Sequence, residues 1–217
     1  MTNIYCFPYA GGSLQSYKKI EKNKLLHLES YELPGRGKRS FEDGNLTLEQ
    51  IYLDFKSFLK KEEYILFGHS MGAYIAVYIY KRLYEDNEFL PKLLIISGQI
   101  PISENDFNQF SNPSKDKVIK YIKDLNHTPN EVLNNKLMID YISEIMVNDF
   151  NLLHSVKYIT LDFYEVKTIV MYGESDKSTP EEKMYFWKEN FPNSTFLKFS
   201  GDHFFVENIY EKLDDFI

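Results

Sequence analysis

Short apolar segments recur along the chain, each bounded by polar or turn-forming residues. They are rich in β-branched and aromatic residues and too short for helices, which indicates buried strands. The six segments are Ile4–Phe7, Leu26–Leu33, Tyr64–Phe67, Leu93–Ser97, Thr168–Tyr172 and Thr195–Phe199. Apolar residues at three- and four-residue steps predict helices between them, at Leu48–Leu59 after an N-cap at Thr47, at Ala73–Leu83, and after Pro180. This alternation predicts an α/β fold with a mainly parallel sheet flanked by helices.

One long stretch, at about residues 101–159, breaks the alternation. It contains no convincing strand pattern, and helical patterns cover Asp116–Leu125 and Asn130–Val147. We interpret it as a helical insertion within a single domain of residues 1–217. In an enzyme such an insertion is a natural lid, and the alternative is scaffolding that widens the core.

Composition and charge exclude several classes of protein. The chain carries 25 Lys plus Arg against 32 Asp plus Glu, and its net charge of −7 disfavours binding to nucleic acids or anionic membranes. Its one cysteine, Cys6, cannot form an internal disulfide, and no apolar run approaches the roughly 20 residues that span a bilayer. The N-terminus lacks the pattern of a signal peptide, and no Cys/His cluster has metal-ligand spacing. We expect a cytoplasmic protein without a metal ion.

The strongest local signal is Gly68-His69-Ser70-Met71-Gly72, which matches the G-x-S-x-G pattern. In that pattern a serine lies on a sharp turn from a strand to a helix, and the glycines relieve clashes with the crowded main chain. A predicted strand precedes the motif and a predicted helix follows it, as the turn requires. We therefore predict that Ser70 is a nucleophile.

A nucleophilic serine needs a base and an acid that orients the base. Of the five histidines, His203 lies in a loop after the last predicted strand and before a predicted C-terminal amphipathic helix, at the carboxyl edge of the sheet. Asp176 follows the strand at Thr168–Tyr172, so the order of Ser70, Asp176 and His203 is that of α/β-hydrolases. Asp202 and Glu174 are the rival acids. We favour Asp176 over Asp202 because neighbours in sequence rarely place their side chains in line.

Backbone amides are the expected stabilisers of the developing oxyanion. One donor is the N–H of Met71, directly after the nucleophile. The loop Phe7–Ser13, which follows the first strand, is the candidate for the second, since Gly11 and Gly12 let amides turn toward a ligand. A phosphate-binding loop is the alternative, but no Gly-Lys-Ser/Thr follows.

Taken together, these motifs resemble those of type II thioesterases, the stand-alone editing enzymes of nonribosomal peptide and polyketide synthases. The resemblance covers nearly the whole chain and rests on Phe7-Pro8-Tyr9-Ala10-Gly11-Gly12, Leu33-Pro34-Gly35-Arg36-Gly37, Gly68-His69-Ser70-Met71-Gly72-Ala73, Gly173-Glu174-Ser175-Asp176 and Gly201-Asp202-His203-Phe204-Phe205. Within the insertion, His127-Thr128-Pro129-Asn130-Glu131-Val132 and Asn148-Asp149-Phe150 also resemble the family's lid. The family usually has Arg-Ala before the Asp-Phe pair, where this chain has Val147-Asn148.

The resemblance implies an α/β-hydrolase fold with a triad of Ser70, Asp176 and His203. It implies that the amides of Met71 and Ala10 form the oxyanion hole and that no cofactor is needed. The implied substrates are acyl or aminoacyl thioesters on the phosphopantetheine arm of an acyl or peptidyl carrier protein, a transient partner of a monomeric enzyme. A general carboxylesterase or acyl-CoA hydrolase remains an alternative, as does a non-catalytic carrier-binding module.

Charge complicates the encounter with a carrier protein, because carriers are typically acidic and this chain is itself at −7. Recognition must then come from a local patch. The candidate basic residues are Lys18, Lys19, Arg36, Lys38 and Arg39. Arg36 alone also suggests a phosphate contact, although we favour a structural arginine that holds a tight turn.

Overall fold

A computed structural model describes residues 1–125 and 128–217, and a six-stranded sheet organises them. The strands are β1 (Thr2–Phe7), β2 (Leu26–Leu28), β3 (Tyr64–His69), β4 (Leu93–Ser97), β5 (Thr168–Gly173) and β6 (Ser194–Phe199). All are parallel, in the order β2-β1-β3-β4-β5-β6. The predicted α/β fold is confirmed. The second strand ends at Leu28 instead of Leu33, because it lies at the edge and β1 offers it only Thr2–Ile4 as partners.

Six α-helices accompany the sheet in the described part of the chain. They are α1 (Leu48–Phe58), α2 (Met71–Glu85), α3 (Lys115–Leu125), α4 (Asn130–Leu133), α5 (Lys136–Val156) and α6 (Glu181–Met184). Thr47 caps α1 in a capping box with Gln50, as predicted for the cap. The helix expected after Pro180 is a short one, continued by 3-10 turns at Tyr185–Glu189.

Two predicted helices have different forms in the structure. The pattern at Asn130–Val147 is not one helix, because the Asn135 side chain accepts the N–H groups of Leu137 and Met138 and so starts α5 anew. The segment after His203 was predicted as an amphipathic helix and instead forms 3-10 turns at Phe205–Asn208 and Tyr210–Phe216.

Hydrophobic clusters cover both faces of the sheet. Strands β3, β4 and β5 are buried along their whole length, which matches their near-continuous apolar sequences. On one face they pack against α1 and α2. On the other face the cover consists of 3-10 turns, with Tyr17, Ile20, Tyr210 and Leu213 buried against the sheet. This packing holds the carboxyl ends of the strands rigidly along one edge.

The segment between β4 and β5 contains α3, α4, α5 and 3-10 turns at Ile102–Glu104 and Phe107–Phe110, and its described residues, 98–125 and 128–167, contain no strand. Residues 126 and 127 lie outside the described residues, and His127 of the predicted lid motif is one of them. Helix α5 packs against α3 and approaches α2. Among the described helices, none is long and apolar enough to cross a membrane.

Candidate active site

Ser70 lies on the turn between β3 and α2 in a strained backbone conformation, with φ 56° and ψ −120°. Both glycines of the motif are needed for this turn. A Cβ on Gly68 would lie 2.0 Å from the carbonyl oxygen of Gly72, and a Cβ on Gly72 would lie 1.8 Å from that of Phe7. The Ser70 amide donates to the Ser97 carbonyl at 2.8 Å, which ties the turn to β4. The strand–turn–helix context that the motif predicts is therefore present.

The loops after β5 and β6 bring Asp176 and His203 together. Asp176 Oδ2 lies 2.7 Å from His203 Nδ1, and the Asp176 side chain is only 3% exposed. Asp202 is turned differently, since its Oδ1 accepts the N–H of Phe204 at 3.0 Å. Glu174 is exposed. Of the three candidate acids, Asp176 is the one that the structure pairs with His203.

The electrostatics of Asp176 suit a carboxylate that holds a positive imidazole. Burial raises its pKa, but the hydrogen bond and charge of His203, together with hydrogen bonds from Ser178, outweigh burial and bring the pKa to about 2. The group is therefore ionised across the neutral range and is an acceptor only. A protonated Nδ1 of His203 must then donate to it, which leaves Nε2 as the ring nitrogen that is free to accept a proton.

Ser70 and His203 line the same cavity of about 610 Å³, which also contains Ala10 and Asp176. In the described chain no hydrogen bond joins Ser70 to His203. Such bonds are often long in unliganded enzymes and tighten only in the reactive complex. The structure therefore brings the three predicted residues to one cavity, while their catalytic roles stay a prediction.

The predicted oxyanion donors lie on two segments that pack against each other. Met71 begins α2, so its N–H belongs to the first helical turn, whose amides have no partner within the helix. The close approach of Gly72 to Phe7 and Pro8 sets the loop after β1 beside that turn. Ala10 in this loop borders the cavity. This placement suits the predicted pair of donors and leaves their role to be tested.

A buried ion pair that the sequence did not predict fixes the loop after Ala10. Arg36 binds Asp149 of α5 in a bidentate manner, at 3.0 Å between Nη1 and Oδ2 and 2.5 Å between Nη2 and Oδ1. Asp149 Oδ2 also accepts the Gly11 N–H at 2.7 Å, and Arg36 donates to the Gly12 carbonyl at 3.2 Å. The side chains are 5% and 2% exposed. Arg36 is therefore a structural residue that joins the insertion to the loop.

This pairing corrects the predicted basic patch. Arg36 is buried, and Arg39 is held by Glu42 and Asp54. Of the five residues proposed for the patch, these two are not available to an acidic partner. Lys18, Lys19 and Lys38 remain exposed.

His69, the neighbour of Ser70, packs against His203. Its ring is fully buried, with Nδ1 3.0 Å from Ser97 Oγ and its centroid 5.1 Å from that of His203. Gly98 leaves space for this ring, since a Cβ there would lie 2.5 Å from it. Burial and the adjacent His203 lower the pKa of His69 well below its ordinary value. His69 is therefore a neutral ring that supports the imidazole of His203.

Aromatic residues of the insertion form one wall of the cavity. Phe150 contacts Phe110 and Tyr121 edge-on, each with 5.1 Å between ring centroids. Polar residues, among them Gln99 and Asn105, also line the cavity. In the described residues no group of three or more His, Cys, Asp or Glu is placed to hold a metal ion. The cavity thus offers an apolar surface for an acyl group beside the serine.

Comparison with known proteins places the chain in a family. The family model described as "Thioesterase domain" matches residues 2–217. The gramicidin S biosynthesis protein GrsT of Aneurinibacillus migulanus is 27% identical over 222 residues, which cover 97% of this chain and 86% of that protein. The medium-chain S-acyl fatty acid synthase thioesterase of Homo sapiens is 26% identical over 161 residues, covering 70% of this chain and 61% of that protein.

A solved structure shares the fold. The crystal structure of ClbQ from the colibactin NRPS/PKS pathway superposes with a TM-score of 0.85 at 24% identity, covering 99% of this chain and 94% of that one. The parallel sheet, the strained backbone of Ser70 and the family match over residues 2–217 therefore all point to the same family. The chain belongs to the thioesterase family, as its motifs predict, and is a thioester hydrolase with the α/β-hydrolase fold.

Proposed function

We propose that this protein hydrolyses acyl or aminoacyl thioesters from the phosphopantetheine arms of carrier proteins, and so regenerates stalled synthases. The observation that carries the proposal is the Asp176–His203 hydrogen bond at 2.7 Å beside the cavity that holds Ser70. The similarity to GrsT, a gramicidin S biosynthesis protein, supports the carrier-bound substrate. The partner is then a transient one, and the expected monomer and cytoplasmic location stay predictions.

The reaction proceeds through an acyl-serine. Ser70 Oγ attacks the thioester carbonyl while His203 takes its proton, and Asp176 stabilises the imidazolium. The oxyanion lies against the amides of Met71 and Ala10, each of which supplies roughly 3–4 kcal/mol. The C–S bond breaks, and the thiolate leaves with the proton from His203. Water then attacks the ester with His203 as base, which releases the acid and restores Ser70.

Residues of the helical insertion line the cavity, and the insertion is proposed to act as its lid. Phe110 and Phe150 lie 40 residues apart in the insertion, contact each other and line the cavity. Asp149, next to Phe150, accepts the N–H of Gly11 in the loop that carries Ala10. A substrate must pass these helices, so their opening would admit the acyl group and their closure would hold it beside Ser70.

Three thioesters of one acyl group test the substrate class. The assay measures kcat/KM on the acylated holo-carrier, on acyl-coenzyme A and on acyl-pantetheine. A preference for the carrier of at least about tenfold, or 1.4 kcal/mol, supports docking of a carrier protein. Equal efficiency on all three contradicts it and identifies a general thioesterase. Failure of a serine-directed fluorophosphonate to label Ser70 would instead indicate a non-catalytic module.

A further inference from the structure

Ser178 contacts both members of the acid–base pair. Its hydroxyl donates to Asp176 Oδ1 at 2.6 Å, and its backbone N–H donates to the same oxygen at 2.9 Å. The hydroxyl oxygen also lies 3.2 Å from His203 Nδ1. Asp176 Oδ2 is the oxygen that faces His203. One oxygen of the Asp176 carboxylate thus accepts from Ser178, and the other faces the imidazole of His203.

The protons at this junction can be assigned in only one way. Asp176 is an acceptor, so the single hydroxyl proton of Ser178 points to Oδ1 and the Nδ1 proton of His203 points to Oδ2. The lone pairs of Ser178 Oγ then face the Nδ1–H group. Ser178 therefore fixes the rotation of the carboxylate and offers a second acceptor on the same edge of the imidazole.

We propose that Ser178 is a positioning residue for the reaction, which holds the Asp176 carboxylate in the plane that His203 needs. The neighbouring contacts support a preformed junction. The Thr179 N–H donates to the Asp176 carbonyl at 3.3 Å and closes a tight turn. Asp176 is almost fully buried, so a free rotation of its carboxylate would leave a desolvated oxygen without a donor. The proposal rests on the proposed function, because it assigns Ser178 to the same site.

Replacement of Ser178 by alanine and by threonine tests this role. Ser178→Ala keeps the backbone N–H and removes the hydroxyl, whereas Ser178→Thr keeps both donors. Ser200→Ala is the control, since Ser200 is exposed directly after β6, does not line the cavity and makes no side-chain hydrogen bond within the described chain. Each variant is assayed for kcat and KM on acyl-pantetheine, for its melting temperature, and by proton NMR.

We expect Ser178→Ala to lower kcat by about tenfold or more with KM within twofold, because a hydrogen bond to a charged group is lost. Its downfield Nδ1–H resonance of His203 should shift or broaden relative to the wild type. Ser178→Thr should restore both readouts, and Ser200→Ala should change neither. The melting temperature of Ser178→Ala should remain close to that of Ser200→Ala.

Two results would overturn the proposal. One is a Ser178→Ala variant whose kcat and Nδ1–H resonance equal those of Ser200→Ala. The other is a loss of kcat that only follows a lowered melting temperature and that threonine does not restore. The resonance reports the junction without any substrate. A wild-type protein that hydrolyses no thioester would therefore count against the proposed function, while the Nδ1–H resonance would still test the role of Ser178.

Discussion

Loss of the buried guanidinium of Arg36 should strongly destabilise the protein. Arg36 and Asp149 are 5% and 2% exposed and make two direct hydrogen bonds. In Arg36→Met the carboxylate of Asp149 keeps only the Gly11 N–H as a donor. Breaking a buried pair in this way costs about 3–5 kcal/mol, since a desolvated charge remains.

This free energy converts into a large thermal shift. In a domain of this size 1 kcal/mol corresponds to about 2–4 °C, so Arg36→Met should melt about 6–20 °C below the wild type. Urea unfolding should show the same loss of free energy. Lys22→Met is the control, because the Lys22–Glu211 pair is 68% and 48% exposed and so exposed a pair contributes little to stability.

A double variant separates the charge from the packing. Adding Asp149→Leu to Arg36→Met removes the unpaired carboxylate and should recover part of the lost stability. The remaining deficit should be about 1–3 kcal/mol, because the Gly11 N–H then lacks its acceptor. The reasoning is refuted if Arg36→Met costs less than about 1 kcal/mol, or if the double variant loses the sum of the two single losses.

Three further predictions concern the acid, the lid and low pH. Asp176→Asn should lower kcat by about 10⁴-fold while Asp202→Asn stays within tenfold of the wild type in steady-state kinetics, and the opposite order would identify Asp202 as the acid. Amides of α3 and α5 should exchange hydrogen faster than those of β3, and equal protection with and without an acyl ligand would argue against a moving lid. The pKa of Asp176 is lowered from 3.8 to about 2 on folding, so its contribution to stability is present above pH 3.8 and is lost as the pH falls toward 2. Urea titrations should therefore show that Asp176→Asn loses less free energy of unfolding than the wild type as the pH falls from 3.8 to 2. An equal loss in the two proteins would contradict the lowered pKa of Asp176.

The sheet and the serine turn were predictable because their signals are local. Six short apolar segments became six strands, and the spacing of Gly68 and Gly72 around Ser70 reflects contacts of 2.0 and 1.8 Å that only glycine avoids. The choice of Asp176 over Asp202 was also a local argument, because Asp202 is the direct neighbour of His203 in sequence, and the structure places Asp176 Oδ2 2.7 Å from His203 Nδ1.

Long-range contacts and the exact type of some helical segments could not be predicted from the sequence. Arg36 and Asp149 are 113 residues apart, and no local pattern pairs them. The segment at Phe205–Phe216 has an amphipathic pattern, yet it packs against the sheet as 3-10 turns with a kink at Lys212. The role of Ser178 had a weak signal, since a serine two residues after an aspartate often bonds to that side chain.

The central claim is that Ser70 carries out thioester hydrolysis, and thiol release from an acyl thioester tests it most directly. The account predicts turnover by the wild type and a loss of at least about 10⁴-fold in kcat for Ser70→Ala, with an unchanged circular dichroism spectrum. It also predicts that the wild type, but not Ser70→Ala, shows a transient mass increase equal to one acyl group. A folded Ser70→Ala variant that releases thiol within tenfold of the wild-type rate would contradict the account.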